Sequence, residues 1–448
     1  MTRPKPSSDT PKPKRKRIKD REPNLPAFAE LMRKQGWTPH DLAVRSGVSE
    51  KSIRRMLDGE TYPHRKTAEK LERSLKGFTK EPLFESPLGF EPANGAAAST
   101  DVRMPSPRPP FCCFRIGRIE LPIMPIAGSP ASPFSMDEVV IRYEPAFLEQ
   151  RQSFPRELAM SKHFLVAYAR KVFGIERLED NVLLRLSSVD QGPETARDQR
   201  GPLYLSFDLA CYTTMLATNL CLDVPAIPTS PETVLTLRER FFSGPNDYRD
   251  LSNSPLANIP GVEVVVLCRS RKNAPPEQML IRRRSQSVHG FRGFYQVSAA
   301  GYMSREHLRP DGLPCPFVTA VHEARQEIGD RLHCRPEEFN LLGVAIQWQS
   351  LHPSFFGWME TPLKATELIA DFRRDAYEGL LMAIPFTPTA VLNHITSHRW
   401  TGMSALAVIA TLQRFFPRSA VEDAASTVPD RNWQWFLEPF SIQSSKRS

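Results

Sequence analysis

Between Gly77 and Pro110 the chain loses every helical and strand period. Pro87, Pro92, an alanine run at Ala96–Ala98 and then Pro105, Pro107, Pro109 and Pro110 fall within it. Proline removes a backbone donor and fixes φ, so a stretch this dense in it builds neither ladder nor helix. Residues 78–110 therefore read as a linker, and whatever precedes it folds apart from whatever follows. A chain of 448 residues has room for two to four domains.

Ahead of the linker, Trp37 to Pro63 reads as two short helices and a tight turn. Thr38 can cap the first helix, and Pro39 suits its first turn. Leu42 and Ala43 give it a small apolar face. Gly47 stands where the chain reverses, Val48 fills the angle, and Ser49 caps the second helix. Ile53, Met56 and Leu57 lie at i, i+3 and i+4, the spacing of a buried stripe. Glu50, Lys51, Ser52, Arg54 and Arg55 are left facing outward.

The order L-A-x-x-x-G-V-S-x-x-x-I, continued to Gly59 and Pro63, resembles the helix-turn-helix of the Cro/C1 repressor family. The likeness covers residues 25–77, with Phe28–Leu31 and then Ala68, Leu71 and Leu75 as flanking helical faces. It implies a DNA-binding module of double-stranded DNA, bound as a homodimer because one recognition helix reads only a short site. Lys51, Ser52 and Arg54 would then face base edges and Glu50 a cytosine amine, with Thr38 and Arg55 on phosphates. Residues 1–24 carry Lys12, Lys14, Arg15, Lys16, Arg17 and Lys19 and few apolar groups, which fits a disordered basic arm that follows phosphates.

Seven cysteines without a C-x-x-C pair argue against a disulfide framework and for a reducing compartment. No secretory signal or membrane-length apolar run is visible, so a cytoplasmic, nucleoid-associated protein is expected.

Past the linker the fold class reads as mixed, multidomain α+β. Residues 111–249 suggest an α+β region. Phe114–Leu121, Val139–Tyr143, Asn181–Ser187 and Pro202–Phe207 are its expected strands, with helices after Pro155 and at Cys211–Leu220. Residues 250–420 suggest an α/β/α sandwich. Its expected strands are Val262–Cys268, Met279–Arg282, Gln296–Met303, Asn340–Ile346 and Ser354–Glu360. Its expected helices are Val318–Ile328 and Ser404–Phe416. Residues 421–448 read as a tail.

Within the first of those helices Glu323, Gln326 and Glu327 share one face, while Ala320, Ala324 and Ile328 can pack the other. Carboxylates so placed can share a hard divalent cation such as magnesium. This stretch resembles the Nudix box, a glycine turn followed by R-E-x-x-E-E-x-G. Gly301 fits the turn, and His322-Glu323 with Gln326-Glu327-Ile328-Gly329 fit the helix. The resemblance implies Glu323 and Glu327 as metal or base positions and the Gly301 carbonyl as a further Mg2+ ligand. Gln326 stands where the family has a carboxylate, and His322 where it has arginine. A more distant likeness to Nudix proteins that cleave uridine-diphosphate sugars runs from Asn181 to Pro388. It implies Arg283 and Arg284 as contacts for ligand phosphates.

His307, Cys315, His322, His333 and Cys334 have zinc-ligand chemistry but no finger-like spacing. Trp348, Trp358, Trp433 and Trp435 could line a nucleobase site but read more readily as core, and Ser285 and Ser287 near His289 lack an acid partner. The expectation is a DNA-binding regulator whose Nudix-like domain senses a nucleotide, sugar nucleotide or other phosphorylated metabolite. The alternative is a magnesium-dependent Nudix hydrolase of a nucleoside-diphosphate derivative with an accessory DNA-binding domain. A third is a protein-interaction scaffold.

Overall fold

The computed structural model describes residues 32, 37–46, 48–57, 71, 114–143, 156–173, 175, 181–193, 200–230, 233–242, 247–269, 274–285, 291–372 and 379–436. The chain divides into two compact units, Met1–Asp101 and Val102–Ser448. The basic arm and the linker of the preceding section lie outside the described residues.

In the first unit, helix α1 (Pro39–Ser46) packs on helix α2 (Glu50–Leu57). Thr38 caps α1, its hydroxyl accepting from the Asp41 amide while Asp41 accepts from the Thr38 amide and hydroxyl. The Ser49 hydroxyl accepts from the Ser52 amide at the start of α2. Leu42, Val48 and Ile53 are buried, together with Met32 and Leu71. The apolar contacts expected from the spacing are therefore made at Leu42, Val48 and Ile53. The side chains of Arg55, Met56 and Leu57 lie outside the described residues.

The second unit opens with β1 (Phe114–Ile116) and β2 (Ile119–Leu121), an antiparallel hairpin. The single strand expected there is broken at Gly117, whose φ of +51° suits glycine. There follow β3 (Ile123–Gly128), β4 (Val139–Tyr143), α3 (Arg156–Phe173), β5 (Val182–Gln191), β6 (Leu203–Cys211), α4 (Tyr212–Ala217), β7 (Ile227–Ser230), β8 (Thr233–Leu235) and α5 (Leu237–Phe241). Strands β4, β6 and β5 form a small sheet in that order. Its inward leucines, Leu184, Leu186, Leu203 and Leu205, share a core with Leu158, Leu165 and Ala169 of α3.

The larger sheet is built mostly from later residues. They comprise β9 (Gly261–Cys268), β10 (Gln278–Arg284), β11 (Tyr295–Val297), β12 (Ala299–Tyr302), α6 (Pro316–Ile328), β13 (Asn340–Gln347), β14 (His352–Thr361), α7 (Ala365–Asp371), β15 (Gly379–Pro385), α8 (Pro388–Ser397), α9 (Gly402–Phe415) and α10 (Arg418–Thr427). The path runs β11-β10-β9-β14-β13-β3, with β12 joined to β9 and β15 to β10. Only the β9–β14 pair is parallel within it.

Side chains alternate along β9. Val262, Val264 and Val266 enter one core with Phe317, Ala320 and Ala324 of α6, whereas Val265 and Leu267 enter another with α8, α9 and α10. Helices thus cover both faces of this sheet, as the near-continuous apolar runs of its central strands require.

Two expected boundaries do not hold. Strand β3, from the region expected to stand apart as 111–249, pairs with β13 in the large sheet. The expected tail begins inside α10, whose Val421 and Ala425 are buried, and Arg431 pairs with Ile119. Both segments are apolar enough to be drawn onto an open sheet edge or helix face.

Strand β9 forks the sheet. Its residues Val266–Cys268 pair with β10, and its residues Gly261–Val264 pair with β12. Gln296–Met303, expected as one strand, is accordingly two, with fully buried Ser298 between them. The Ser298 hydroxyl donates to the Val264 carbonyl and accepts from the Val266 amide, each at 3.3 Å.

Candidate functional site

In the first unit α2 carries Lys51, Ser52 and Arg54 on its outward face, three of the residues expected to meet DNA. Lys51, Ser52 and Arg54 are exposed, and Ile53 between them is fully buried. Arg54 donates to Glu50 from Nε and Nη2, at 3.0 and 2.7 Å. His40 stands 3.1 Å from the other carboxylate oxygen. Hydrogen bonding from Arg54, then from His40, lowers the Glu50 pKa. Glu50 is thus a partner of the basic face. Thr38, expected on a phosphate, spends its hydroxyl on the α1 cap.

In the second unit, α6 forms because its buried stripe repeats at helical spacing and Pro316 fits its first turn. Gly329 ends it at φ +132°, a conformation open to glycine. The helix packs on β12 and β9, which places its acidic face beside Gly301, a residue of β12 paired with Val262 of β9 and not the turn expected there. A Cβ at Gly301 would stand 2.2 Å from the Glu323 carboxylate, so only glycine permits this approach. The structure therefore brings Gly301 and Glu323 together.

Glu327 is placed differently. Its carboxylate lies 3.3 Å from Arg282 Nε, and its Oε1 accepts from the Ala300 amide. Arg282 also donates to the Glu327 backbone carbonyl and is fully buried. Strand alternation puts Arg282 and Arg284 on the same side of β10 and Arg283 on the other. Arg283 is exposed and does not line the cleft, which corrects its pairing with Arg284 as a ligand contact.

Next to α6 lies a cleft of about 820 Å³. Glu323, Gln326 and Glu327 form one wall, and Arg284, Glu263, Tyr302 and His352 supply further lining. The Ser404 hydroxyl donates to Glu263 at 2.6 Å. Burial outweighs that hydrogen bond and the nearby Arg284, raising the Glu263 pKa to about 7. Burial also lowers His352 to about 4, whereas Tyr302 is exposed at the mouth of the cleft. Tyr302 and His352 meet edge to face with centroids 5.2 Å apart. At neutral pH the pocket thus offers a neutral imidazole, a phenol, a carboxyl poised between its two forms and a guanidinium. Such a mixture can recognise a polar ring and an anionic group together.

Sequence reasoning missed Glu263 and Tyr302, which sit in strands read as sheet core, and His352, which lies just ahead of the strand expected at Ser354–Glu360. It also missed Arg282, although period-two alternation already separates it from Arg283.

The donor set fits a magnesium ion poorly. Magnesium asks for several oxygen ligands in octahedral array. Here a buried cation faces the Glu327 carboxylate, and the Gln326 amide oxygen is 3.1 Å from His322 Nε2. Glu323 is the carboxylate beside Gly301 of β12.

No protein-family model matches the chain, and no curated protein is significantly similar to it. Among the described residues no helix is long and apolar enough to cross a membrane.

Proposed function

We propose that the chain is a DNA-binding regulator whose carboxy-terminal unit binds a phosphorylated, nucleotide-like metabolite without hydrolysing it. The observation that carries this reading is the face of α2. Lys51, Ser52 and Arg54 are exposed around an Ile53 that anchors the helix. A short helix held by its apolar side and basic on its free side suits the major groove. Binding as a homodimer accompanies the proposal, since one such helix spans few base pairs.

The cleft supports the ligand half. Arg284 supplies a cation for a phosphate, and Glu263, Tyr302 and His352 supply donors and acceptors for a base or sugar. Binding without turnover follows from α6. Hydrolysis by the resembled family needs clustered carboxylates on that helix, and the Arg282–Glu327 pair ties one of them into the fold.

The test uses the full chain. Fluorescence anisotropy against duplex DNA should give a dissociation constant that rises steeply with salt, since bound phosphates release counterions. Lys51→Ala should weaken binding most on the preferred sequence and so narrow the discrimination between sequences. A thermal-shift series of nucleoside diphosphates and sugar nucleotides should stabilise the chain by mass action with or without magnesium, leaving the ligand intact. Salt-insensitive or absent DNA binding overturns the regulator reading. Magnesium-dependent consumption of the ligand favours the hydrolase instead.

A further inference from the structure

His307 lies in the turn that follows β12, its amide donating to the Ser304 carbonyl at 3.1 Å. This turn belongs to the segment between β12 and α6, and it brings His307 beside His322 of the helix. The His307 and His322 rings stand 4.1 Å apart at their centroids. One ring nitrogen of each and a carboxylate oxygen of Glu323 all lie within 4.8 Å of one another. His307 is only 5% exposed, and its Nδ1 has no hydrogen-bond partner. A buried imidazole nitrogen left dry is costly, and an apolar side chain would fill the same space without that cost. The arrangement is economical only if something else occupies the lone pair.

His322 is prepared for the same role. With Gln326 Oε1 facing its Nε2, that nitrogen carries the hydrogen, and Nδ1 keeps a lone pair. A hydrogen bond that fixes tautomer and ring orientation is the usual support of a metal-binding histidine. The glycine at 301 lets the Glu323 carboxylate sit where a Cβ would block it.

We propose that His307, His322 and Glu323 bind a divalent transition metal of the zinc class at the edge of the cleft. Two imidazoles and one carboxylate suit such an ion, whereas magnesium prefers oxygen alone. Ligand atoms around a tetrahedral zinc stand about 3.3–3.5 Å apart, given bonds of about 2.0–2.1 Å. Closing from within 4.8 Å asks for side-chain adjustments of about 1.5 Å or less. Three protein ligands leave one position for water or for an anionic oxygen of a molecule in the cleft. The two departures from the Nudix pattern then act together: His322 supplies a ligand, and Gln326 is the positioning residue that orients it. The site stands independently of DNA binding and of the ligand's identity.

The full chain, stripped by chelator and dialysed against Zn2+, Co2+ or Mg2+, tests this by elemental analysis. One zinc per chain should be retained, and magnesium should not. The cobalt form should show d–d bands without a thiolate charge-transfer band, which separates this site from the cysteines. His322→Ala, an exposed position, should fold normally and bind zinc at least tenfold more weakly. Glu323→Gln should do the same, and Gln326→Ala should weaken binding about tenfold. Equal zinc retention by the parent chain and His322→Ala overturns the proposal, as does a thiolate band or failure to retain zinc.

Discussion

Helices α2 and α6 are built alike and used differently. Each buries one apolar side and carries acidic and other polar residues on another. On α2 the acid is answered from the helix surface, where Arg54 and His40 reach Glu50 in the open. On α6 it is answered from a strand, where buried Arg282 meets Glu327. The first kind of pair costs little to open, so its cations can exchange a carboxylate for a phosphate. The second has given up its hydration to the fold and cannot be reassigned cheaply. A face of charged residues is therefore a docking surface or a structural joint according to where its counter-charges come from.

The sharpest way to break that contrast is Arg282→Ala. It leaves Glu327 without its buried partner, and a urea titration should show a loss of about 3–5 kcal/mol. A loss below about 1 kcal/mol would mean that the pair is no joint.

Next comes Glu263→Gln, which probes the other charge held inside the cleft. The free carboxyl titrates near 4.5, and the folded one near 7. Below 4.5 it is protonated in both states and contributes nothing. As pH climbs from 4.5 to 7 the unfolded chain releases its proton first, so stability falls, and the full cost is present above 7. That cost is on the order of 2–3 kcal/mol. The amide still accepts from Ser404, so the variant should equal the parent near pH 4.5 and exceed it above pH 7. Matching pH profiles would remove Glu263 from the account.

Gly301→Ala should cost about 1–3 kcal/mol, because the new methyl meets the Glu323 carboxylate. Unchanged chemical denaturation would show that Glu323 can swing away freely. The smallest effect belongs to α2. Arg54→Ala should leave stability nearly unchanged in chemical denaturation while weakening DNA binding. A large stability loss there would make α2 a joint as well.

Much of the strand and helix order was legible because its spacing is local. Val139–Tyr143 was read to the residue, and Val262–Cys268, Asn340–Ile346 and the helix after Pro316 to within two. The acidic face of α6 was legible for the same reason. What stayed hidden depends on tertiary neighbours. Arg282, Arg283 and Arg284 look alike in sequence, and only their packing makes one a buried partner, one exposed and one a cleft wall. His307 lies fifteen residues before His322 and reaches it through a turn without periodic pattern. Helix α8 and strand β15 were not anticipated either, although Pro388 at the start of α8 is a typical opening signal.

The branch in β9 has a consequence for how this unit could be altered. A single hydroxyl, that of Ser298, stands in for the rung that neither arm supplies. Strand β9 itself stays paired with β14 from Gly261 to Cys268, so changes of length belong in the loops that lead to β10 and out of β12. Threonine there should be tolerated where alanine would take its partner from the Val266 amide and from the Val264 carbonyl. The neighbourhood of the cleft can thus be re-cut for a different occupant by changing lengths rather than rebuilding the sheet.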